Sequence, residues 1–554
     1  MQQQIKIMAL GGVRENGKNL YLAEIEETIF VMDAGLKYPE NDQLGVDLVI
    51  PNMDYLQENK DRVAGVFLTH GHADAIGALP YLLAKVKVPV FGSELTIELA
   101  KLVVKDYAPT KSFNDFHVIN AETEIDFGVT EVSFFRTTHS IAESLGLVFK
   151  TPAGNIVYTG DFKFDQAATE DYQTDLARLA EIGREGVLAL LSDSANADSK
   201  IQIASEREVA DEVINVIGDC QGRVIVAAVA SNLSRIQQIF DAADVTGRRV
   251  LLTGHDVENI VRTAMKLNKL KISNERLIIK PKDLSRFADY ELVILETGRI
   301  GEPLEGLRKM AVGRHRYISI KDGDTVFIAT TPTVAKEAFV ARVENLIYKA
   351  GGEVKSITNN LRVSGHANFR DLQMMINILK PKFLFPIQGE YRQLAAHADA
   401  AQEVGILPEN ILIMKRGDVM VYEAGDFLHS GSVPTGDILL DGQAIGDLGD
   451  VVLRDRKILS EDGIFIVAMT VNRKQKKLIA KAKVHTRGFV YVKKSKDILS
   501  EAAELANRSV EDYLTKDQFE WAELKNLVRD ELSKYLFDQT KRRPAVLPVL
   551  MEVR

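Results

Sequence analysis

The stretch LTHGHADAIGAL, Leu68 to Leu79, follows directly on the apolar run VAGVF and contains the strongest chemical signal in the sequence. His70, His72 and Asp74 alternate after the predicted strand, and an apolar stretch with helical spacing comes next. Alternation at a strand end lets two imidazoles and a carboxylate point into one cavity. Imidazole and carboxylate are ligands of zinc and manganese. The stretch therefore predicts a metal site at the edge of a sheet in an α/β domain.

Three other segments place metal-type side chains at the ends of apolar runs. His139 lies in FFRTTHS, Asp161 lies in NIVYTGDF, and the loop of FPIQGEYR follows a third run. Side chains at strand ends are held rigidly by the sheet. A single histidine in such a place is more often packed or exposed than a ligand, but the conjunction of these pieces favours a shared site.

Composition bounds the class of protein. The 554 residues are 46% apolar and 27% charged, which suits several folded units with substantial cores. The single cysteine, Cys220, excludes an intramolecular disulfide framework and a cysteine-rich zinc knuckle. The amino terminus lacks the pattern of a secretory signal, and no apolar run approaches membrane-spanning length. We therefore expect a soluble cytoplasmic protein that does not enter a membrane.

Secondary-structure patterns divide the chain. Strand-rich and then mixed α/β patterns extend to about residue 200, and residues 206 to about 360 alternate helix and strand as in βαβ units with a parallel sheet. The mixed pattern of strands and helices seen in the first region returns after residue 361. The middle block is therefore predicted to be an insertion into the first domain. A connector rich in Gly and Asp and a small α/β domain follow.

At these residues the sequence resembles the metallo-β-lactamase superfamily, whose first motif is His-x-His-x-Asp-His. LLSDSANA with Asp193, LRVSGHANF with His366, and PIQGEYR are similar to the nucleic-acid-processing branch that carries a β-CASP insertion. DGQAIGDLGDVVLRDRKILSEDG and KRRPAVLPVLMEV resemble ribonuclease J, so the resemblance spans essentially the whole chain. It implies an αββα sandwich split by a β-CASP domain, followed by a linker and a small C-terminal α/β domain. The implied limits are 1–205 with 361–445, 206–360, 446–463 and 464–554.

The resemblance also implies a metal-ligand set. One site keeps His70, His72, His139 and Asp161, and the second keeps Asp74 and the bridging Asp161. Zinc or manganese is the implied cation, with magnesium as a further candidate. Asp47 and Asp441 lie in loops where the resemblance implies a structural calcium ion.

Two positions depart from the ribonuclease J pattern. Ala75 replaces the last histidine of the first motif, and Gln388 replaces the histidine of Pro-Ile-His-Gly-Glu. Both missing imidazoles belong to the same metal, so the second site is expected to be weak or empty. These replacements are similar to those of a second, catalytically degenerate paralogue in bacteria that carry two copies.

Around SGHAN, the resemblance implies substrate binding. This stretch offers donors suited to a phosphate, and the family uses the loop to grip the 5′-terminal phosphates of RNA. His366 is also the implied proton donor, whereas Asp193 either orients an imidazole or caps a helix. The alternative for SGHAN is an ordinary strand-to-helix cap. The implied phosphate-binding residues are Ser231, Asn232, Ser364, Gly365, His366 and Asn368.

The resemblance implies a ribonuclease of RNA decay and of rRNA and mRNA maturation. It would act as a 5′-to-3′ exonuclease, with endonuclease activity as a second mode. Metal-activated water would attack phosphorus, and Asp74, Asp161 and the three histidines would bind the metals. The expected substrate is single-stranded RNA with a 5′-monophosphate end, and the chain's own turnover is expected to be low. The rival hypothesis is an inert RNA-binding and assembly subunit. It would support an active ribonuclease J paralogue as a homodimer or heteromeric complex, together with other RNA-decay proteins.

One window of charge remains open to two interpretations. Residues 471 to 500 carry ten Lys or Arg against one acidic residue, Asp497, whereas the whole chain carries −9. The window is therefore +9 and the remainder −18. It could bind a polyanion through counterion release, or form a solvated basic face that balances acidic surfaces on another chain.

Overall fold

The computed structural model describes residues 4–40, 43–254, 256–298, 303–332, 336–442, 444–445, 450–490, 495–516 and 518–553. They fall into two compact units. The first comprises Met1–Lys37 and Ile50–Asp437, and the second comprises Tyr38–Val49 and Ile438–Arg554.

Strands and helices alternate along most of the described chain. The strands are β1 (Ile5–Ala9), β2 (Tyr21–Ile25), β3 (Thr28–Met32), β4 (Leu48–Pro51), β5 (Val63–Phe67), β6 (Val90–Gly92), β7 (Phe116–Val118), β8 (Glu124–Asp126), β9 (Glu131–Arg136), β10 (Leu145–Lys150), β11 (Asn155–Tyr158), β12 (Val187–Asp193), β13 (Val224–Ala227), β14 (Arg249–Thr253), β15 (Ile278–Ile279), β16 (Leu292–Glu296), β17 (Thr325–Ile328), β18 (Glu353–Ser356), β19 (Phe383–Ile387), β20 (Asp418–Glu423), β21 (Asp426–Ser432), β22 (Asp437–Asp441), β23 (Ala444–Ile445), β24 (Ile464–Asn472), β25 (Lys477–Arg487) and β26 (Ala545–Glu552). The α-helices are α1 (Asp54–Glu58), α2 (Ala73–Ile76), α3 (Leu79–Lys85), α4 (Glu94–Asp106), α5 (Leu176–Glu185), α6 (Glu206–Asp219), α7 (Leu233–Val245), α8 (Val257–Lys266), α9 (Pro303–Ala311), α10 (Glu337–Lys349), α11 (Phe369–Leu379), α12 (Tyr391–Glu403), α13 (Asp450–Glu461), α14 (Lys496–Leu514) and α15 (Trp521–Thr540).

Two sheets form the sandwich of the first unit. One has the order β21-β20-β1-β2-β3-β5-β6-β7 and the other the order β19-β12-β11-β10-β9-β8. A single apolar cluster contains side chains of both sheets, among them Phe30, Phe67, Phe134 and Phe385. On the outer face of the second sheet, residues of α5, α11 and α12 form a second cluster, and α4 contacts β6 and β7 of the first. The predicted αββα sandwich is confirmed.

The inserted domain leaves and re-enters the second sheet at neighbouring strands. β12 and β19 pair in parallel, with Ala189 opposite Phe383 and Asp193 opposite Ile387. Between them the chain forms a parallel sheet in the order β15-β14-β16-β13-β17-β18. Parallel pairing requires crossover connections, and helices α7, α8, α9 and α10 provide them. The insertion and its parallel sheet match the prediction.

The second unit contains a small α/β layer. Its sheet has the order β25-β24-β26, and one face packs against α14 and α15 through a cluster that includes Phe465, Val467, Val510 and Leu532. Helix α13 lies within the segment 446–463 that the sequence pattern indicates as a linker, and residues 446–449 lie outside the described chain. The domain limits themselves stay a prediction. None of the helices in the described ranges has the length and apolar character to cross a membrane.

Candidate metal centre

Strand ends of both sheets bring the predicted ligands to one edge of the sandwich. His70 follows β5, His139 follows β9, Asp161 follows β11, and Asp74 lies in α2. Potential ligand atoms lie within 4.8 Å of one another in three overlapping groups. These groups are His70 with His72 and His139, His70 with Asp74 and Asp161, and Asp161 with Asp193 and His366.

Two of the histidines have their tautomers fixed by backbone carbonyls. Nδ1 of His139 lies 2.8 Å from the carbonyl oxygen of Gly365, and Nε2 of His72 lies 3.2 Å from that of Ser231. A carbonyl oxygen only accepts, so each of these nitrogens must carry the ring hydrogen and donate it. The remaining nitrogens, Nε2 of His139 and Nδ1 of His72, are 3.0 Å apart. Each therefore presents a lone pair to the other.

The third imidazole is oriented through a hydroxyl. Thr69 Oγ1 donates to the carboxylate of Asp33, 2.9 Å from Oδ2, so it accepts from Nδ1 of His70 at 2.9 Å. Nε2 of His70 is buried and has no hydrogen-bond partner among the residues that the structure describes. It lies 3.6 Å from Asp74 Oδ1 and 3.7 Å from Asp161 Oδ2. The inner nitrogens of His72 and His139 thus face each other, and Nε2 of His70 faces the carboxylates of Asp74 and Asp161.

Electrostatics show why this arrangement needs a cation. Burial lowers the pKa of His72 to about 3 and that of His139 well below its usual range, so both rings are neutral near pH 7. Burial, followed by the charges of Asp74 and Asp193, raises the pKa of Asp161 well above its usual range. Facing lone pairs and crowded carboxylates repel each other unless positive charge lies among them. The residues present therefore fit a divalent metal.

The second half of the centre is built differently. Gln388, just after β19 and with a left-handed φ of 54°, is buried. Its Nε2 donates to Asp74 Oδ2 at 3.1 Å and lies 3.4 Å from Asp161 Oδ2. Its buried Oε1 has no hydrogen-bond partner within the described part of the chain. Ala75 contributes only a buried methyl group. An uncharged amide thus contacts the two carboxylates where the resemblance places a second cation.

His366 and Asp193 form a pair beside this centre. Nδ1 of His366 donates to Oδ2 of Asp193 at 2.8 Å and lies 3.9 Å from Asp161 Oδ2. Oδ1 of Asp193 accepts from the backbone amide of Ala195 at 2.8 Å. Asp193 therefore contacts the imidazole in the way that an orienting carboxylate does, and it ends a strand rather than capping a helix.

The predicted phosphate loop lies against His139. Ser364 Oγ accepts from the backbone amide of His366 at 3.0 Å. A Cβ atom added to Gly365 would lie 2.9 Å from Cε1 of His139, so only glycine allows this approach of loop to ring. The loop and the histidine half of the centre are thus in direct contact.

Two predicted phosphate ligands cap helices. Oδ1 of Asn368 accepts from two backbone amides in the first turn of α11, and its Nδ2 donates to the carbonyl of Ile201. Oδ1 of Asn232 accepts from the backbone amide of Arg235 in α7. Capping occupies both side-chain oxygens. For Asn368 the strand-to-helix cap named as the alternative is present, and a phosphate role there depends on its remaining amide hydrogen.

Sequence reasoning missed Asp33 and Thr69. Asp33 is fully buried at φ 60° and also accepts from the hydroxyl of Tyr158 at 2.6 Å and from the amide of Thr69 at 2.8 Å. Burial raises the pKa of Asp33 to about 6. Its place in VMDAG, a carboxylate just beyond an apolar strand, is the same signal that identified Asp161.

The carboxylates of the predicted calcium loops have protein partners. Oδ2 of Asp47 accepts from the amide of Gly442 at 2.8 Å, and Oδ2 of Asp441 accepts from Arg456 at 2.7 Å. Within the described ranges neither belongs to a group of metal-type ligands. A structural calcium ion stays a prediction.

Family profiles match most of the chain. The metallo-β-lactamase superfamily matches residues 13–202, and the ribonuclease J β-CASP domain matches residues 221–347. The Zn-dependent metallo-hydrolase RNA specificity domain matches residues 351–414, and the ribonuclease J C-terminal domain matches residues 451–553.

Full-length relatives give the same result. The chain is similar to "Ribonuclease J 2" of Streptococcus pyogenes serotype M3, with 70% identity over 99% of this chain and 100% of that protein. It is also similar to "Ribonuclease J2" of Bacillus subtilis, with 43% identity over 100% of this chain and 99% of that protein. A crystal structure of a protein of unknown function from Enterococcus faecalis V583 has a TM-score of 0.54 at 15% identity, covers 76% of this chain and 100% of that one, and supports the fold alone. The chain therefore belongs to the ribonuclease J family.

Proposed function

We propose that this chain is a ribonuclease that removes nucleotides from the 5′ end of single-stranded RNA, with endonucleolytic cleavage as a second mode. Its role is in RNA decay and in rRNA and mRNA maturation in the cytoplasm. The observation that carries the proposal is the convergence of His70, His72 and His139 with Asp74 and Asp161, whose potential ligand atoms lie within 4.8 Å of one another in overlapping groups. The His366 and Asp193 pair lies beside them. Phosphodiester hydrolysis requires a cation site and a proton donor, and this edge of the sandwich offers side chains suited to both.

The cation would be held by the histidine half. His70, His72, His139 and Asp161 form a mixed nitrogen and oxygen set that suits zinc or manganese, with magnesium as a weaker candidate. When bound, such a cation supplies Lewis acidity toward the phosphodiester and its attacking water. The chain's own contribution is orientation, because two carbonyls and a hydroxyl hold the rings in the required tautomers.

Proton transfer to the leaving oxygen is assigned to His366. Its Nδ1 donates to Asp193, so Nε2 is the nitrogen available to a substrate. Asp193 also stabilises the protonated ring electrostatically. Ser364, Gly365 and Ser231 lie close enough to these rings to meet a phosphate group of the substrate.

Low turnover follows from the second half of the centre. Two cations normally clamp the attacking and the leaving oxygen in such sites, whereas Gln388 supplies an amide and Ala75 a methyl group. Each 1.36 kcal/mol of lost transition-state stabilisation is about tenfold in rate. The proposal is therefore a slow nuclease with one strong cation site.

Hydrolysis of a 5′-monophosphorylated single-stranded RNA in excess manganese tests the proposal. The matched control is the His72→Ala variant, which removes a predicted ligand and excludes a contaminating nuclease. Hydrolysis by the wild type that disappears in the variant supports a slow nuclease. No hydrolysis, or equal hydrolysis by both proteins, contradicts it.

A second candidate function is supported by the C-terminal sheet. On β26 the alternate residues Leu547, Val549 and Met551 are 49%, 37% and 51% exposed. Leu547 pairs with Ile466 and Val549 with Ala468 on β24, so the apolar strip extends across two strands. Exposed strips of this kind are typical of association surfaces. An assembly subunit that binds RNA and an active ribonuclease J paralogue would use such a face.

Light scattering distinguishes this candidate. If the chain has an assembly role, the wild type should scatter light as a homodimer or as a complex with a purified paralogue. Leu547→Asp should then have a lower molar mass than the wild type under the same conditions, with unchanged hydrolysis per chain. The control is Thr515→Asp, at an exposed residue just after the end of α14. A monomer in both proteins, with no complex, argues against the assembly role.

A further inference from the structure

Two of the predicted metal ligands depend on the inserted domain. The carbonyl that accepts from His72 belongs to Ser231, in the turn between β13 and α7. Three residues further on, the backbone amide of Ser234 donates to the carbonyl of Ser140, the neighbour of His139, at 3.3 Å. The turn before α7 and the first residues of that helix thus contact the segments of both histidines.

A buried ion pair between Lys163 and Glu206 also joins the metal centre to the inserted domain. Lys163 lies two residues after Asp161, and its backbone amide donates at 2.9 Å to the carbonyl of Thr138, the residue before His139. Its ammonium lies 2.7 Å from Oε1 of Glu206, the first residue of α6. The Lys163 side chain is only 1% exposed, so this pair is shielded from solvent and from salt.

Glu206 also contacts α7. Its second oxygen, Oε2, accepts from Ser234 Oγ and from Gln238 Nε2, both at 2.8 Å. Both donors belong to the helix that begins just after Ser231. A continuous set of hydrogen bonds therefore runs from the strand end of Asp161, through Lys163 and Glu206, to the turn that orients His72.

Another ion cluster crosses between core and insertion without this connection. Lys269, after α8, lies 2.9 Å from Glu143 and 2.8 Å from Asp171. Glu143 and Asp171 are more exposed than Glu206, and within the described ranges the hydrogen bonds of Lys269 do not reach a predicted metal ligand. It provides a matched comparison for a contact that only docks the insertion.

We propose that Lys163 and Glu206 are positioning residues that hold the Ser231 turn against the metal centre, so that docking of the inserted domain and metal binding strengthen each other. The inference rests on the proposed metal site. If the insertion moves away, His72 loses the acceptor that fixes its tautomer, and the facing nitrogen is no longer held as a lone pair. By reciprocity, a cation that binds the histidines favours the docked insertion to the same degree.

The test is calorimetric titration of manganese into the metal-free Glu206→Gln variant, which keeps the side-chain shape and removes the charge. Its manganese dissociation constant is expected to rise about tenfold, as for other losses of outer support. Lys269→Gln, the matched control, is expected to bind manganese as the wild type does. Cobalt absorption spectra of the variants add a second readout, because an altered ligand arrangement changes the spectrum whereas a purely global loss of stability does not.

The outcomes separate the two proposals. If the wild type binds no manganese, the metal site itself is wrong and the inference fails with it. If the wild type binds and Glu206→Gln binds equally well, or if both variants weaken binding equally, only the positioning role is overturned. Should Glu206→Gln not fold, Ser234→Ala removes a single donor to Glu206 and is expected to weaken manganese binding in the same direction. An unchanged affinity in that variant is also contrary to the inference.

Discussion

The two halves of the candidate metal centre share a scaffold and differ in their side chains. In the histidine half, each of three imidazoles has its outer nitrogen bonded to an oxygen. The inner nitrogens of His72 and His139 face each other at 3.0 Å, and that of His70 has no partner among the described residues. In the other half, Gln388 offers amide hydrogens to Asp74 and Asp161, and Ala75 offers a methyl group. One half has the electronic character of a cation site, and the other has its carboxylates already in contact with a neutral donor.

The difference teaches how such a site can be lost without disturbing the fold. An amide hydrogen bond satisfies a carboxylate oxygen but adds no charge, so it stabilises less than a cation does. The strand that carries Gln388 is regularly paired, because β19 aligns in parallel with β12 as far as Ile387 opposite Asp193. The two halves therefore differ in the side chains of Ala75 and Gln388, and not in the topology of the strands.

The largest expected effect is in the histidine half. His70→Ala removes the buried Nε2 and is expected to abolish RNA hydrolysis. It is also expected to weaken manganese binding about a hundredfold to a thousandfold, if a binding energy of about 10–16 kcal/mol, as in structural zinc sites, is shared among four ligands. Calorimetry measures the affinity. His117→Ala, which alters an exposed histidine on β7, is the control and is expected to have no effect. Equal affinity in His70→Ala would remove the distinction between the halves.

A smaller loss is expected where the proton donor is oriented. Asp193→Asn replaces the acceptor of the His366 Nδ1 hydrogen with an amide. Turnover is expected to fall about tenfold to a hundredfold, part of what general acid catalysis contributes, whereas manganese affinity holds. Steady-state kinetics with parallel titration checks both. Unchanged turnover would argue that His366 has another role.

Restoring the second half is expected to raise activity. Ala75→His together with Gln388→His returns both missing imidazoles, and turnover on 5′-monophosphorylated RNA should rise more than about tenfold, equivalent to at least ~1.4 kcal/mol of transition-state stabilisation. Each single replacement is expected to give less, because one imidazole completes only part of the site. No gain in the double variant contradicts the ligand-loss account.

Outer support of the histidine half gives a moderate effect. Thr69→Val leaves Nδ1 of His70 and one lone pair of Asp33 without their partner. Manganese affinity is expected to fall about tenfold, and the free energy of unfolding by about 1–3 kcal/mol. Thr110→Val, which removes another buried hydroxyl far along the chain, should lower stability without changing affinity. Similar manganese affinities in both variants would argue that the Thr69 hydroxyl does not orient His70 for metal binding.

The smallest effect lies outside the centre. In the window 471–500, Lys493 and Lys494 fall outside the described residues, whereas Lys474 and Lys477 are exposed at the β24–β25 hairpin. Reversing these two charges to Glu should weaken RNA binding a few-fold and flatten its salt dependence. Filter binding over a range of salt concentrations measures this. An unchanged slope would assign the basic window to protein contacts.

Sequence patterns predicted an α/β core, the insertion and the strand-end residues, because hydrophobic period and residue type are local signals. The αββα sandwich itself was predicted only through the resemblance to a known family. It did not predict the partners that fix the tautomers. The carbonyls of Ser231 and Gly365 belong to the backbone and have no residue signature, and Lys163 meets Glu206 only through the tertiary fold. Helix α13 was also missed, because Gly and Asp on either side dominate the pattern of that segment.

The most direct test of the central claim is the metal stoichiometry of the purified chain. Elemental analysis after equilibration with manganese and removal of free ion is expected to give one strongly bound manganese per wild-type chain, and two per chain in the Ala75→His, Gln388→His variant. Two strongly bound ions in the wild type, or one in both proteins, would contradict the claim that Ala75 and Gln388 alone separate the halves.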